Sequence, residues 1–290
     1  MFCSSRCDSL SVRAQRNGLG YRWLVASVTL AGMLALGCES EGVSTDERPD
    51  EGAGPAEVHM PGLLEEQLGE VRLGKRVTIE LNGGPVNDET IKAVRGVAGI
   101  EKVVIQRSEL TVAGLEVLAT LPQLKQLVIR GRPIDDEGLV PLVSIKSLRV
   151  LNLPSTTVSL DSFRTLQQLP NLMLLRMGSP RLSDDCLEVV AGLPSLRFLH
   201  LIDVPISDHG LRHLFECEQL ESLYLDGARV SGQGVDALME NLPTLHLHLD
   251  QHHHDRDPNG HDHPAGTSRG RPAGRAVYCW RAANGQSWHC

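Results

Sequence analysis

The chain has 290 residues, with 36 acidic side chains against 28 lysines and arginines and a formal net charge of −8. The mild acidity excludes a general nucleic-acid binder, which carries a basic excess, and the length suffices for a sizeable core. Aromatics amount to only 3%, and Trp23, Trp280 and Trp288 all lie near the ends; a packed Leu, Val and Ile core is expected rather than a hollow catalytic pocket.

Residues 1–22 carry Arg6, Arg13, Arg16 and Arg22 with Asp8 as the only acid, and an apolar run from Trp23 to Gly37 ends at Cys38. A positive segment followed by about 15 apolar residues reads as an export signal over 1–37, short for a membrane span. Leu34-Ala35-Leu36-Gly37-Cys38 resembles the bacterial lipobox, which implies cleavage before Cys38 and lipidation of that residue. A cleaved signal without lipid and an uncleaved anchor are the alternatives, and Val12 is an alternative start. Residues 38–62, rich in Gly, Pro, Ser and acids, cannot bury a core. They are expected to be a tether reaching roughly 25–30 Å.

Residues 63–76 follow, with an amphipathic stretch from Leu63 to Leu73 that is expected to cap the array behind it. A pattern then returns every 24 residues. Its first apolar position falls at Ile79, Val103, Leu127, Leu151, Leu175, Leu199, Leu223 and Leu247. Two residues on come Leu81, Ile105, Ile129, Leu153, Met177, Leu201, Leu225 and Leu249. The two-residue spacing predicts a short strand. Later in each repeat, Leu139, Leu142 and Ile145, or Leu211, Leu214 and Cys217, have helical spacing. Asp135, Ser183 and Ser207, at position 9, are placed to cap those helices. The paired carboxylates Asp135-Asp136 and Asp184-Asp185 are assigned to the same capping and to the helix dipole. Such a repeat cannot bury its own apolar face and must stack on its neighbours.

The Leu-x-Leu strand followed by Ile134-Asp-Asp-Glu-Gly-Leu139 or Ile206-Ser-Asp-His-Gly-Leu211 resembles the leucine-rich repeat, closest to its cysteine-containing subtype. The resemblance covers about 77–250, as seven units of 24 residues plus a final strand. It implies an α/β fold, a right-handed horseshoe solenoid with parallel strands on the concave face and short helices on the convex face. The chain departs from the subtype in repeat length, commonly 26, and in lacking most of the expected cysteines. The fourth unit, around Val158–Phe163, is degenerate, and the seventh shifts by one residue near Asn241 and Leu242. Cys186 and Cys217 lie at helical levels roughly 10 Å apart, beyond disulfide reach, so both are expected as buried thiols.

Strand residues between the core leucines face the concave side, and the loop after them forms its rim. Arg107, Arg130, Arg132, Arg176 and Arg181 fall in adjacent units beside His200, Tyr224 and Asp226. Guanidinium groups pair well with carboxylates and phosphates. The expected site is this partly basic face, and the expected partner a protein or peptide, an acidic one being best matched to the arginines; a glycan or anionic polymer and a plain solvated face are the alternatives.

Residues 251–290 are expected to lack regular structure. The tract holding His252, His253, His254, His261 and His263 suits Zn²⁺, Ni²⁺ or Cu²⁺, although no closed structural-zinc spacing is present. Beyond it, 264–290 turns Gly, Pro and Arg rich, a change that a reading-frame shift would also produce. No nucleophile elbow, P-loop, HExxH or dinucleotide fingerprint appears. The expected function is therefore a non-catalytic interaction module, exported and lipid-anchored at the cell envelope, with no cofactor and no small-molecule substrate; the alternative is a metal-binding envelope protein acting through the histidine tract.

Overall fold

The computed structural model describes residues 60–250 and the backbone of His252–His253, Cys279–Arg281 and Ser287–His289. The expected signal over 1–37, Cys38, the tether up to residue 59, and His254, His261 and His263 lie outside the described residues.

Eight parallel strands form one open sheet in sequence order: β1 (Thr78–Leu81), β2 (Lys102–Ser108), β3 (Gln126–Gly131), β4 (Val150–Leu153), β5 (Leu174–Met177), β6 (Phe198–Ile202), β7 (Ser222–Asp226) and β8 (His246–Leu249). Helices α1 (Met60–Arg72), α2 (Asp88–Ile91), α3 (Val112–Ala119), α4 (Asp136–Leu142), α5 (Leu160–Arg164), α6 (Asp185–Ala191), α7 (Asp208–Leu211) and α8 (Gly232–Asn241) precede or separate them. The register is the repeat itself: Ile79 pairs with Val103, then Leu127, Leu151, Leu175, Leu199, Leu223 and Leu247 in turn. Every one of these side chains is fully buried, and each contributes on the order of 1.5–3 kcal/mol of burial. This is a leucine-rich repeat solenoid. In the stretch expected to lack regular structure, β9 (His252–His253) pairs antiparallel with β8, and β10 (Cys279–Arg281) pairs with β11 (Ser287–His289).

The three-residue spacing of the later core positions has a geometric cause. Helix α4 closes with bonds from Ile145 N to Leu142 O and from Leu148 N to Ile145 O. These are 3₁₀ bonds, whose three residues per turn keep i and i+3 in line. The degenerate fourth repeat does the same with Phe163, Leu166 and Leu169, all buried. In the seventh, α8 is α-helical to its end, with Leu242 N bonded to Leu238 O at 2.8 Å. At 3.6 residues per turn the next core position falls at Leu242 rather than Asn241, which explains the one-residue shift.

Two capping assignments hold and one fails. Asp135 accepts from Gly138 N at 2.9 Å, and Ser207 from His209 N at 3.2 Å. Ser183 does not cap: helix α6 starts from Asp184, whose side chain makes no cap bond. In each pair the carboxylate at position 10, Asp136 or Asp184, serves a different purpose from the one expected. Asp184 accepts from Ser207 N at 2.7 Å and Ser207 Oγ at 2.5 Å, one repeat onward. Asp88 holds Thr111 and Asp208 holds Ser231 in the same way, and Asp136 takes Ser159 N at 2.6 Å. An aspartate at position 10 thus clamps the cap residue of the next coil. The fourth repeat has Leu160 at that position, so nothing reaches Ser183.

These bonds hold carboxyl groups in their charged form. Asp136 is lowered below the ordinary carboxylate value, first by the Ser159 N–H, and Asp208 is lowered, first by the Ser231 hydroxyl. A depressed folded-state value contributes stability above the unfolded-state value, near 3.9, which disappears as pH falls through the folded one. Urea midpoints are expected to drop between pH 5 and pH 3, and to drop less in S231A, which lacks the hydroxyl.

Helix α1 begins at Met60, three residues before the expected start of the cap. Pro61 permits this, because first-turn amides need no intrahelical partner. The helix closes the first sheet edge through one side chain: Gln67 Nε2 donates to Glu80 O at 2.9 Å, and Glu80 N donates to Gln67 Oε1 at 2.7 Å. A side-chain amide here takes the place of a neighbouring peptide on an otherwise open edge. Gln67→Ala is expected to destabilise by about 1–3 kcal/mol, the usual penalty for stranded buried polar groups, read from urea unfolding. Cys186 and Cys217 are buried free thiols, as expected. Burial pushes the Cys186 thiol up to about 12, so it stays protonated and inert.

Candidate binding face

Position 2 of each strand lies on the sheet face opposite the helices, and the register aligns Glu80, Val104, Val128, Asn152, Arg176, His200, Tyr224 and His248 in one row. After Glu80 the row runs through two valines and becomes polar and aromatic from β4 onward.

Its centre is a bonded chain across four strands. Arg176 donates from Nη1 to Asn152 Oδ1 at 3.3 Å and from Nε to His200 Nδ1 at 3.2 Å. The other ring nitrogen of His200 meets Asp226 Oδ2 at 2.8 Å. Since a guanidinium only donates, Nδ1 must accept, so Nε2 carries the proton and donates to the carboxylate. Both ring nitrogens are committed, and His200 is held in one tautomer with 1% exposure. A histidine so engaged is a positioning group rather than a general base, since its lone pair already accepts a bond. Tyr224 lies against His200 at 5.4 Å between ring centroids and stacks on His248 at 4.0 Å and 9°.

The expected basic face is placed unevenly. Arg176, His200, Tyr224 and Asp226 come together as described. Arg130 is half-buried and donates to Gln106 Oε1 at 2.8 Å, one strand away. Arg107 and Arg132 are exposed, at the end of β2 and just after β3. Arg181 reaches back nearly two repeats to Asp136 Oδ2 at 3.0 Å and Thr157 O at 2.9 Å. It serves the strand-to-helix turns, with its charge set against a carboxylate. Asn152, Gln106, His246 and His248 belong to the face although they are outside the expected set of binding residues. Position 2 of the eighth strand, His248, was available from the 24-residue register. Nε2 of His248 sits 2.8 Å from Nε2 of His246. Among the described residues there is no group of three or more His, Cys, Asp and Glu side chains arranged to hold a metal ion.

No protein-family model and no curated protein matches the chain. Solved structures do resemble it. An internalin (inlF) from Listeria monocytogenes is 18% identical with a TM-score of 0.43, the match covering 63% of this chain and 58% of that one. A second internalin from the same organism, internalin C2, is 17% identical with a TM-score of 0.46, covering 66% and 82%. A plant peptide hormone receptor, RGFR1, in complex with RGF2, is 14% identical with a TM-score of 0.38, covering 60% and 36%. The chain thus spans less than two thirds of the first internalin's length.

Proposed function

We propose that the chain is a non-catalytic binding module whose sheet face, from Arg130 on β3 to Tyr224 on β7, docks a protein or peptide through carboxylate groups. One observation carries this reading: a single row of equivalent positions changes from Val104 and Val128 to Asn152, Arg176, His200 and Tyr224. Valine satisfies the stack at those positions, so the fold does not require polar groups there. Burying polar groups is unfavourable unless they are bonded, and the chain supplies bonds to Asn152 Oδ1, to both ring nitrogens of His200 and to Asp226 Oδ2. What such a row offers beyond packing is a guanidinium at Arg176 and an aromatic ring at Tyr224, both half-buried and held in place by the buried Asn152 and His200. Those are the features that concentrate binding energy at interfaces, and arginine forks match carboxylates.

The reading extends to location. The arginine-rich start, the apolar run to Gly37 and the lipobox-like Leu34–Cys38 support export and anchoring through a lipid on Cys38 to the cell envelope. Cys38→Ser is expected to move the protein from the membrane fraction to the soluble one; retention in the membrane contradicts lipid anchoring. For the face, R130E/R176E is expected to abolish capture of envelope partners by affinity pull-down while circular dichroism stays unchanged. Full capture by the folded variant rejects the face as the binding site.

A further inference from the structure

The last parallel strand carries a second feature that partner binding does not use. His246 and His248 are two residues apart on β8 and therefore share a face. Their Nε2 atoms lie 2.8 Å apart, with ring centroids at 4.6 Å and planes at 66°. A tetrahedral zinc ion at about 2.0–2.1 Å from each ring nitrogen sets two such nitrogens about 3.3 Å apart. The two rings thus need to part by only about half an ångström to share one ion. The stacked ring of Tyr224, at 4.0 Å and 9°, fixes the plane of His248 in advance.

The chain then reverses. Asp250 turns with φ 48°, and β9 returns antiparallel with His253 opposite His248 and His252 opposite Leu249. Opposed residues of an antiparallel pair have Cα atoms about 4.5–5.5 Å apart, so a third imidazole-bearing residue stands at the register position opposite His248, two positions along from that of His246.

We propose that His246, His248 and His253 form a binding site for a borderline transition-metal ion of the Zn²⁺ class at the final edge of the sheet. Neutral imidazole is a preferred ligand for such ions. An ion held across β8 and β9 staples the hairpin over the β8 edge, because metal binding free energy is released only where the ligands are gathered. The site borders the partner-binding face at Tyr224 but uses neither Arg130 nor Arg176, and it does not rest on that reading.

Zn²⁺ titration calorimetry on the full chain tests it. The wild type is expected to show one site in its tightest class. H246Q/H248Q and His253→Gln are each expected to weaken that class at least about 100-fold, the upper end of the loss from removing a mere outer-shell partner. H261Q/H263Q and R130E/R176E are expected to leave it unchanged. Wild-type affinity in a folded H246Q/H248Q protein, or loss of the tight class in H261Q/H263Q, overturns the proposal. Should circular dichroism show H246Q/H248Q to be unfolded, His253→Gln decides: unchanged affinity overturns the site, and a 100-fold loss supports it.

Discussion

Gly210→Ala is expected to destabilise the solenoid by about 2–4 kcal/mol, although alanine is the better helix former by about 1 kcal/mol. The reason lies one repeat back. A Cβ at position 210 would fall 2.5 Å from Asp184 Oδ1 and 2.9 Å from its Cγ. Either the carboxylate moves, releasing its bonds to Ser207 N and Oγ, or the coils part. In thermal unfolding this corresponds to a fall of about 5–15 °C for a domain of this size. The same rule ties Gly114 to Asp88 and Gly234 to Asp208, with clashes of 2.3 and 2.1 Å. A double-mutant cycle isolates the effect. Asp184→Ala alone is expected to destabilise by about 1.5–3 kcal/mol. In that background Gly210→Ala is expected to fall within about 1 kcal/mol of neutral, because the carboxylate is gone and only the milder 3.1 Å approach to the Cα of residue 184 remains. Additive losses would mean that the glycine answers to something other than the aspartate.

Phe163→Ala is expected to destabilise by about 3–5 kcal/mol, whereas Phe163→Leu stays below about 1.5 kcal/mol. Phe163 is completely buried and stands where other repeats have Leu139, Leu187 or Leu211. The degenerate fourth repeat fills the same slot with a larger ring and then follows the same 3₁₀ path through Leu166 and Leu169. If the slot is equivalent across repeats, leucine fits it and alanine leaves a cavity. Urea unfolding of both variants measures the difference. A leucine variant as damaged as the alanine variant would show that this repeat is packed by its own rule.

The spine of the fold was legible because one physical requirement, a leucine wall for each neighbouring coil, writes itself into every repeat. The cap residues Asp135 and Ser207 were legible for the same local reason. The partner of the position-10 aspartate in each pair was not. Asp184 looks like a helix-terminal acid when its own repeat is read alone, and its role appears only when Ser207 and Gly210 of the next coil are set beside it. A correlation between an aspartate at position 10 and a small residue at position 12 one repeat later was present in the letters: Asp88 with Gly114, Asp136 with Ser162, Asp184 with Gly210, Asp208 with Gly234. The face residues were legible by position but not by bonding. Counting strand positions finds Arg176, His200 and Asp226 together. It does not show that Arg176 is turned along the sheet toward His200, or that Arg181 is drawn back to Asp136. Long arginine side chains reach about as far as the strand spacing or beyond, so sequence position leaves their pairing open.

Site-specific photocrosslinking in intact cells tests most directly whether the sheet face is where the partner docks. A photoreactive aromatic residue is placed at Tyr224 on that face in one protein and at Val140, exposed on helix α4, in another. The expected result is a discrete adduct from position 224 that disappears in R130E/R176E, and none from position 140. An adduct from position 140 alone, or one from position 224 that survives the double substitution, would contradict recognition by this face.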